Sequence, residues 1–196
     1  MRQTIIIIGV ILVIALLTIF PAISTYNKMV SMDEGVKSAW SQVENVYQRR
    51  LDLIPNLVNT VKGAANFEKS TLTQVIEARA KATQVTVDPS KMTEQNFKQF
   101  QEAQGNVSSS LSRLLVTVEQ YPQLKATESF KELQSQLEGT ENRIATERRR
   151  FNEVAQQYNA YIRTFPKNMI ASWFGFQQKP YFTAEKEAAK PPSVQF

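Results

Sequence analysis

Residues 130–165 read FKELQSQLEGTENRIATERRRFNEVAQQYNAYIRTF, with a large apolar or aromatic side chain at every seventh position. These are Phe130, Leu137, Ile144, Phe151, Tyr158 and Phe165, with a companion row of Leu133, Val154 and Tyr161. A seven-residue repeat keeps one face of a helix against its neighbours and favours left-handed packing at a crossing angle of about +20°. The segment therefore predicts a long helix in a bundle.

Three further stretches show the same alternation of three- and four-residue spacings, at residues 26–64, 72–82 and 97–121. Prolines and short polar segments separate them, and helices joined by short connections are antiparallel neighbours. The sequence thus predicts an all-α fold with an antiparallel up-and-down four-helix bundle of long helices over residues 28–166. A coiled-coil homodimer of two helical hairpins would give a similar periodicity and stays open as an alternative.

The N-terminal residues 1–27 are predicted to be a transmembrane anchor. Residues 3–27 carry no charge, and residues 5–23 are almost all Ile, Val, Leu, Ala and Phe. As a helix rising 1.5 Å per residue, this run is about 28 Å long, close to the hydrocarbon thickness of a bilayer. A cleaved signal peptide is the alternative, but its apolar core is usually only about 7–15 residues long. The lipid bilayer is the expected partner, with a short cytoplasmic N-terminus and the bulk of the chain on the outer side.

Composition excludes most enzyme classes. The chain has no histidine and no cysteine, so it lacks the commonest general base, thiol nucleophiles and thiolate or imidazole metal ligands. We therefore expect no enzymatic activity, no catalytic residue, no metal and no cofactor. A hydrolase using only Glu141 and Glu147 is disfavoured, because residues six apart lie on different faces of a helix.

The net charge of +5 does not indicate a nucleic-acid partner. The only dense basic run is residues 148–150, and three consecutive helical residues point in three directions. Nearby glutamates can neutralise them, so we expect no nucleic-acid binding.

Several polar residues lie where the pattern predicts the core, namely Asp33, Arg50, Arg79, Gln104 and Glu147. Buried charges must be paired, so a structural polar layer is the simplest interpretation. The functional interpretation is a ligand pocket enclosed by Arg50, Arg79 and Glu147.

Pro55 lies inside the first helical pattern and removes the hydrogen bond that its N–H would donate to the carbonyl of Leu51. We expect a kink there, with Asn56 and Asn59 placed to satisfy freed carbonyls. The candidate contact surface for another copy or another protein is Arg50, Asp52, Pro55, Asn56, Arg79, Glu141 and Glu147.

The C-terminal segment, residues 167–196, should return to the membrane end of an up-and-down bundle. Its candidate membrane-interface residues are Lys167, Trp173, Phe174, Phe176, Tyr181 and Phe182. The alternative is that this segment caps the open end of the bundle core, and both can hold. Residues 184–196 are polar and proline-containing, which is typical of a tail.

The chain resembles the LemA family of bacterial membrane proteins in an ordered series of motifs. These are AWSQV (39–43), RRLDLIPNLV (49–58), VKG (61–63), EARA (77–80), EQYPQLKA (119–126), TENRIA (140–145), RRFN (149–152), YN (158–159) and FP (165–166). The resemblance covers residues 26–182. It implies one N-terminal span in the bacterial cytoplasmic membrane, a long antiparallel helical bundle and no established enzymatic activity. Family members are often encoded near membrane metalloproteases, which associates them with the upkeep of the cell envelope.

These observations favour a non-enzymatic, membrane-anchored scaffold that forms a homo-oligomer or docks other envelope proteins. The alternative is a sensor that binds a ligand between its helices and regulates a neighbouring membrane protease.

Overall fold

The computed structural model describes residues 2–63 and 67–183, apart from the side chains at 5, 10, 11 and 13–18. The predicted all-α class is confirmed, since this part of the chain is helical and contains no strand. The helices are α1 (Arg2–Lys62), α2 (Lys69–Gln84), α3 (Glu94–Val118), α4 (Pro122–Lys125), α5 (Glu128–Arg163) and α6 (Lys167–Phe174), with a 3-10 turn at Pro89–Lys91.

The four long helices, α1, α2, α3 and α5, form the bundle, in which α1 lies along α5 and α2 packs against α3. The ring of Trp40 in α1 lies 5.6 Å from that of Phe151 in α5, and Arg50 pairs with Glu141 ten residues earlier in α5. Residue numbers therefore rise along α1 as they fall along α5, and the two helices are antiparallel. Because α3 presents Phe97 and then Gln104 to the same two α1 residues, it runs parallel to α1.

The helix starts follow local capping chemistry. Thr93 accepts a hydrogen bond from the N–H of Asn96 at 3.2 Å, and the Asn96 side chain accepts one from the N–H of Thr93 at 2.8 Å. These two bonds form a capping box, which begins α3. Thr127 caps α5 by accepting a bond from the N–H of Phe130. Pro122, which follows the third helical stretch, begins the short helix α4, because a proline suits the first helical position.

The bundle contains two apolar cores. The upper core, far from the N-terminus of α1, is largely aliphatic and is built from α1, α2, α3 and α5, with Phe67 from the segment before α2 and Leu124 from α4. The lower core, at the level of residues 29–47 of α1, contains the rings of Trp40, Tyr47, Phe97, Phe100, Phe151, Tyr158 and Phe182.

The difference between the cores follows from the length of α2. With 16 residues, α2 is about 24 Å long, whereas the 36 residues of α5 extend over about 54 Å. All the buried apolar side chains of α2 belong to the upper core. In the lower half, its place is taken by Val87 and Met92 from the connection to α3 and by Phe182 from the segment after α6.

The row predicted along α5 needs two corrections. Phe165, its expected last member, is 77% exposed, because α5 ends at Arg163 and Thr164 is already extended. The companion row Leu133, Val154 and Tyr161 packs against the two cores but is only partly buried, and the fully buried residues beside the main row are Thr140, Ala155, Asn159 and Ile162.

Helix α1 is continuous from Arg2 to Lys62, as expected for a segment that runs on into the bundle. Within the residues that the structure describes, no helix combines the length and apolar character needed to cross a membrane.

Candidate functional site

A polar layer separates the two cores. It consists of Arg50 from α1, Gln104 and Ser108 from α3, and Glu141 from α5. Arg50 Nη1 donates to Ser108 Oγ at 2.7 Å and to Glu141 Oε1 at 2.9 Å. Arg50 Nη2 donates to the Gln104 carbonyl at 3.0 Å and to Gln104 Oε1 at 2.6 Å. One guanidinium thus connects three helices at a single level of the bundle.

Arg50 is only 1% exposed, so its charge is stable there only because the surrounding groups satisfy it. The Tyr47 ring adds a cation–π contact at 5.1 Å from the guanidinium carbon. Arg50 Nε has no hydrogen-bond partner among the described residues. Glu141 stays partly exposed, so water reaches the layer from the α5 side. Because both terminal nitrogens of Arg50 already bind protein groups, this site fixes the helix register and presents little free hydrogen-bonding capacity to a ligand.

Arg79 in α2 satisfies the carbonyl that Pro55 leaves free. Its Nε donates to the Leu51 carbonyl at 2.9 Å, where Pro55 has no N–H to offer. Asn56 and Asn59, which the sequence suggested for this role, are exposed. The helix therefore continues through a proline because a charged donor from a neighbouring helix replaces the missing bond.

The structure divides the predicted contact surface. Asp52, Pro55 and Asn56 lie on the exposed side of α1, and Asp52 accepts a hydrogen bond from Gln48 at 2.8 Å. Glu147 is half-buried, and its Oε2 lies 3.9 Å from Arg150 Nη1, which is a charge contact beyond hydrogen-bond distance. Arg50 and Glu141 meet in the polar layer, whereas Arg79 and Glu147 make separate contacts.

A C-terminal strap, residues 176–183, caps the lower core as the alternative for this segment predicted, but its extended course along α5 was not predicted. It has no helical structure and runs back along α5, starting after Gly175, which ends α6 in the left-handed conformation that glycine tolerates best. Asn159 in α5 accepts from the N–H of Lys179 at 2.8 Å and donates to its carbonyl at 2.8 Å. Asn152 pairs with the backbone of Phe182 in the same way, at 2.8 Å and 2.9 Å.

The two asparagines match the repeat of an extended chain. Seven residues of α5 rise about 10.5 Å, and three residues of extended backbone advance about 10 Å. Asn152 and Asn159 therefore face Phe182 and Lys179 in register. Asparagines seven residues apart beside an apolar row were the available signal for this strap.

Phe182 at the end of the strap belongs to the lower core. It is 6% exposed, and its ring centroid lies 4.6 Å from that of Phe97 and 5.6 Å from that of Phe151. The sequence grouped Phe182 with the membrane-interface candidates, but the structure places it in the role of the alternative, a cap on the open end of the core. Tyr181 is partly exposed, and its hydroxyl accepts a hydrogen bond from Asn159 at 2.9 Å.

Lys179 attaches the strap to the lower end of α1. Its Nζ lies 2.9 Å from Asp33 Oδ1 and donates to the Pro89 carbonyl at 3.3 Å, while Lys37 Nζ lies 3.0 Å from Asp33 Oδ2. Burial by itself would raise the pKa of Asp33, but the hydrogen bonds from Lys179 and Lys37 outweigh it and hold this pKa below its ordinary value of 3.8. Burial, with the nearby charge of Asp33, raises the pKa of the Tyr158 hydroxyl.

An open cleft of about 460 Å³ adjoins this cluster and is lined by Lys37, Lys91, Phe176 and Lys179 among others. Lys37 and Lys179 are already paired with Asp33, so the cluster is a structural connection between α1 and the strap. In residues 2–63 and 67–183, acidic side chains form no group that could hold a metal ion.

The lower end of the molecule exposes apolar side chains of α6. Trp173 is 80% exposed, and Phe174 is also exposed while its ring lies 4.7 Å from that of Tyr26 in α1. Lys167 Nζ lies 4.0 Å from the centroid of the Tyr161 ring. Phe176 is half-buried against the lower core.

Comparisons with known proteins find one matching family and several similar chains. The sequence profile of the LemA family matches residues 39–196. Magnetosome protein MamQ 2 of Paramagnetospirillum magneticum is 30% identical over 204 aligned positions, which cover 93% of this chain and 75% of the relative. Magnetosome protein MamQ of Magnetospirillum gryphiswaldense is 29% identical with the same coverage. Protein LemA of Metamycoplasma hominis is 24% identical over 167 positions, covering 85% of this chain and 73% of the relative.

Proposed function

The chain belongs to the LemA family, and from that premise we propose that it is a non-enzymatic scaffold of the bacterial envelope. One N-terminal helix anchors it in the cytoplasmic membrane, with the bundle on the outer side. The bundle assembles with further copies of itself or binds other envelope proteins.

The continuity of α1 is the observation that carries this proposal. The residues of α1 from Met29 to Val61 contribute to both cores of the bundle. Before them, the same helix exposes Ile6, Ile7, Ile8, Leu12, Ile19, Phe20 and Ile23. Removing one such side chain from water stabilises a protein by roughly 1.5–3 kcal/mol, so this stretch favours an apolar surrounding. The bilayer supplies it, given the uncharged residues 3–27.

The polar layer supports a scaffold more than a ligand-binding sensor. A sensor that regulates a neighbouring membrane protease needs unsatisfied polar groups converging on a cavity. Arg50 instead binds Ser108, Gln104 and Glu141, and Arg79 binds a backbone carbonyl. These contacts hold the helices in one register, which suits a rigid element in an assembly.

The mass of the full-length protein, extracted from membranes in mild detergent, tests self-association. A single defined oligomer supports the scaffold. A monomer at every protein concentration would remove self-association and favour regulation of a membrane protease.

Substitutions on the exposed side of α1 locate the interface. Asp52→Lys with Asn56→Arg places two cations, four residues apart, on the predicted contact surface and should dissociate the oligomer. Ser135→Arg, at an exposed position of α5, is the matched control and should keep the wild-type mass. Equal masses for both variants would exclude this surface.

A further inference from the structure

Helix α6 has two apolar faces, one packed on the lower core and one exposed. Ile170 and Ala171 pack on the lower core. Met169 and Trp173, one turn apart on the outer face, are 50% and 80% exposed. Phe174 beside them is also exposed. Large aromatic side chains are seldom this exposed on a soluble surface, and their clustering indicates a surface that is covered in the cell.

The position of α6 along α1 indicates what covers it. Tyr26 contacts the rings of Phe174 and Phe176, at centroid distances of 4.7 Å and 5.8 Å. Tyr26 follows Ile23, the last residue of the apolar run, by three residues, or about 4.5 Å of helix. The outer face of α6 thus lies beside α1 at the level where its apolar run ends.

The charged residues that flank α6 in the sequence have one sign. Residues 154–183 include Arg163, Lys167 and Lys179 and no acidic residue. Lys179 is paired with Asp33, but Arg163 is exposed and Lys167 lies on the Tyr161 ring at the start of α6. Tryptophan with basic side chains is the combination that favours the headgroup region of an anionic bilayer.

We infer that α6 is a second membrane contact: an interfacial helix that inserts Met169, Trp173 and Phe174 among the headgroups and upper acyl chains of an anionic bilayer. The inference rests on the proposed N-terminal anchor, which brings α6 to the membrane. Two contacts, one spanning and one interfacial, restrict the tilt of the bundle, whereas a single helix would allow it to swing.

The two tryptophans of the chain make this testable in the full-length protein. Trp40 is fully buried and lies about 25 Å along α1 from Ile23, beyond the reach of quenchers in the bilayer. The protein is reconstituted into vesicles of phosphatidylcholine and phosphatidylglycerol, with or without lipids brominated near the headgroup end of the acyl chains. Flotation on a density gradient is measured on the same samples.

We expect brominated lipid to reduce the emission of the wild-type protein and to leave that of Trp173→Phe unchanged. Trp173→Phe replaces an exposed side chain and should keep the fold. Flotation without quenching of Trp173 would overturn the inference but keep the anchor. The same result is expected if α6 contacts a second copy of the chain instead of lipid. Failure to float would overturn both.

Discussion

The upper and lower cores of the bundle differ in how they are closed. The upper core is mostly aliphatic, and α2 supplies its fourth side. The lower core is rich in aromatic rings and is completed by the connection before α3 and by the strap. Its closure therefore depends on Phe182 and on the two asparagines that hold the strap, Asn152 and Asn159. The same four-helix pattern thus produces one half closed by helices and one half closed by the strap.

The polar layer is the boundary between these halves. Of the substitutions considered, Arg50→Ala should reduce the stability of the protein most. Truncating Arg50 leaves the buried side chain of Gln104 without its donor, which costs about 1–3 kcal/mol, and empties the space of a fully buried side chain, which adds about 2 kcal/mol. We expect a loss of this size in the free energy of unfolding, measured by urea denaturation of the full-length protein in detergent. Arg49→Ala removes an exposed arginine next to it and should change stability by less than about 0.5 kcal/mol. Similar losses for both variants would mean that the layer does not stabilise the bundle.

Phe182→Ala should destabilise the lower core selectively. Removing a buried phenylalanine costs about 3 kcal/mol, here at contacts with Phe97, Phe151 and Trp40. Hydrogen exchange should show weaker protection of the amides around Trp40 and unchanged protection around Leu114 in the upper core. The control, Phe174→Ala, removes an exposed ring and should leave both regions protected. Equal loss of protection in both cores would show that they unfold as one unit.

The contact between Arg79 and the Leu51 carbonyl tests what stabilises the upper half of the bundle. Arg79→Ala should cost about 1.5 kcal/mol, since it leaves a carbonyl without a donor. In a Pro55→Ala background, residue 55 regains the N–H that can bind this carbonyl, so the same substitution should cost much less. The urea midpoints of the four proteins give the coupling energy. A cost independent of residue 55 would refute this account of how α1 continues through Pro55.

The ion pairs of Asp33 give the smallest expected effect. Because the pKa of Asp33 is lower in the folded protein than in the unfolded chain, its pairs stabilise the fold at neutral pH. This stabilisation is lost as the pH falls from the ordinary value of 3.8 through the lower folded pKa. Asp33→Asn should remove that part of the acid dependence of unfolding. Asp52→Asn, at an exposed position outside this cluster, should retain it.

Much of the bundle was predictable, because helices leave a period in the sequence. The row from Phe130 to Tyr158 is buried in the structure, and Thr93 and Thr127 cap the predicted helices. The strap could not be found in this way, because an extended segment held by side-chain amides has no periodicity of its own. The pattern also could not show that α5 would end before Phe165, because Phe165 still fits the seven-residue spacing.

The candidate site was predictable only in part. The spacing of the apolar residues predicts that Arg50 and Gln104 lie in the interior, and in the structure they bind each other there. The partner of Arg79 is a backbone carbonyl, and side-chain patterns do not identify backbone partners. The sequence pattern places Glu147 in the predicted core with Arg50, but the antiparallel register of α1 and α5 brings Glu141 to Arg50 instead.

Single-cysteine labelling in intact cells tests most directly the central proposal that α1 spans the cytoplasmic membrane and carries the bundle on its outer side. The chain has no cysteine, so Gln3→Cys and Ser38→Cys each introduce a unique thiol at an exposed position on either side of the apolar run. With a membrane-impermeant maleimide, we predict that Ser38→Cys is labelled in intact cells and that Gln3→Cys is labelled only after lysis. Equal labelling of the two positions in intact cells, or labelling of both only after lysis, would contradict a membrane crossing between them.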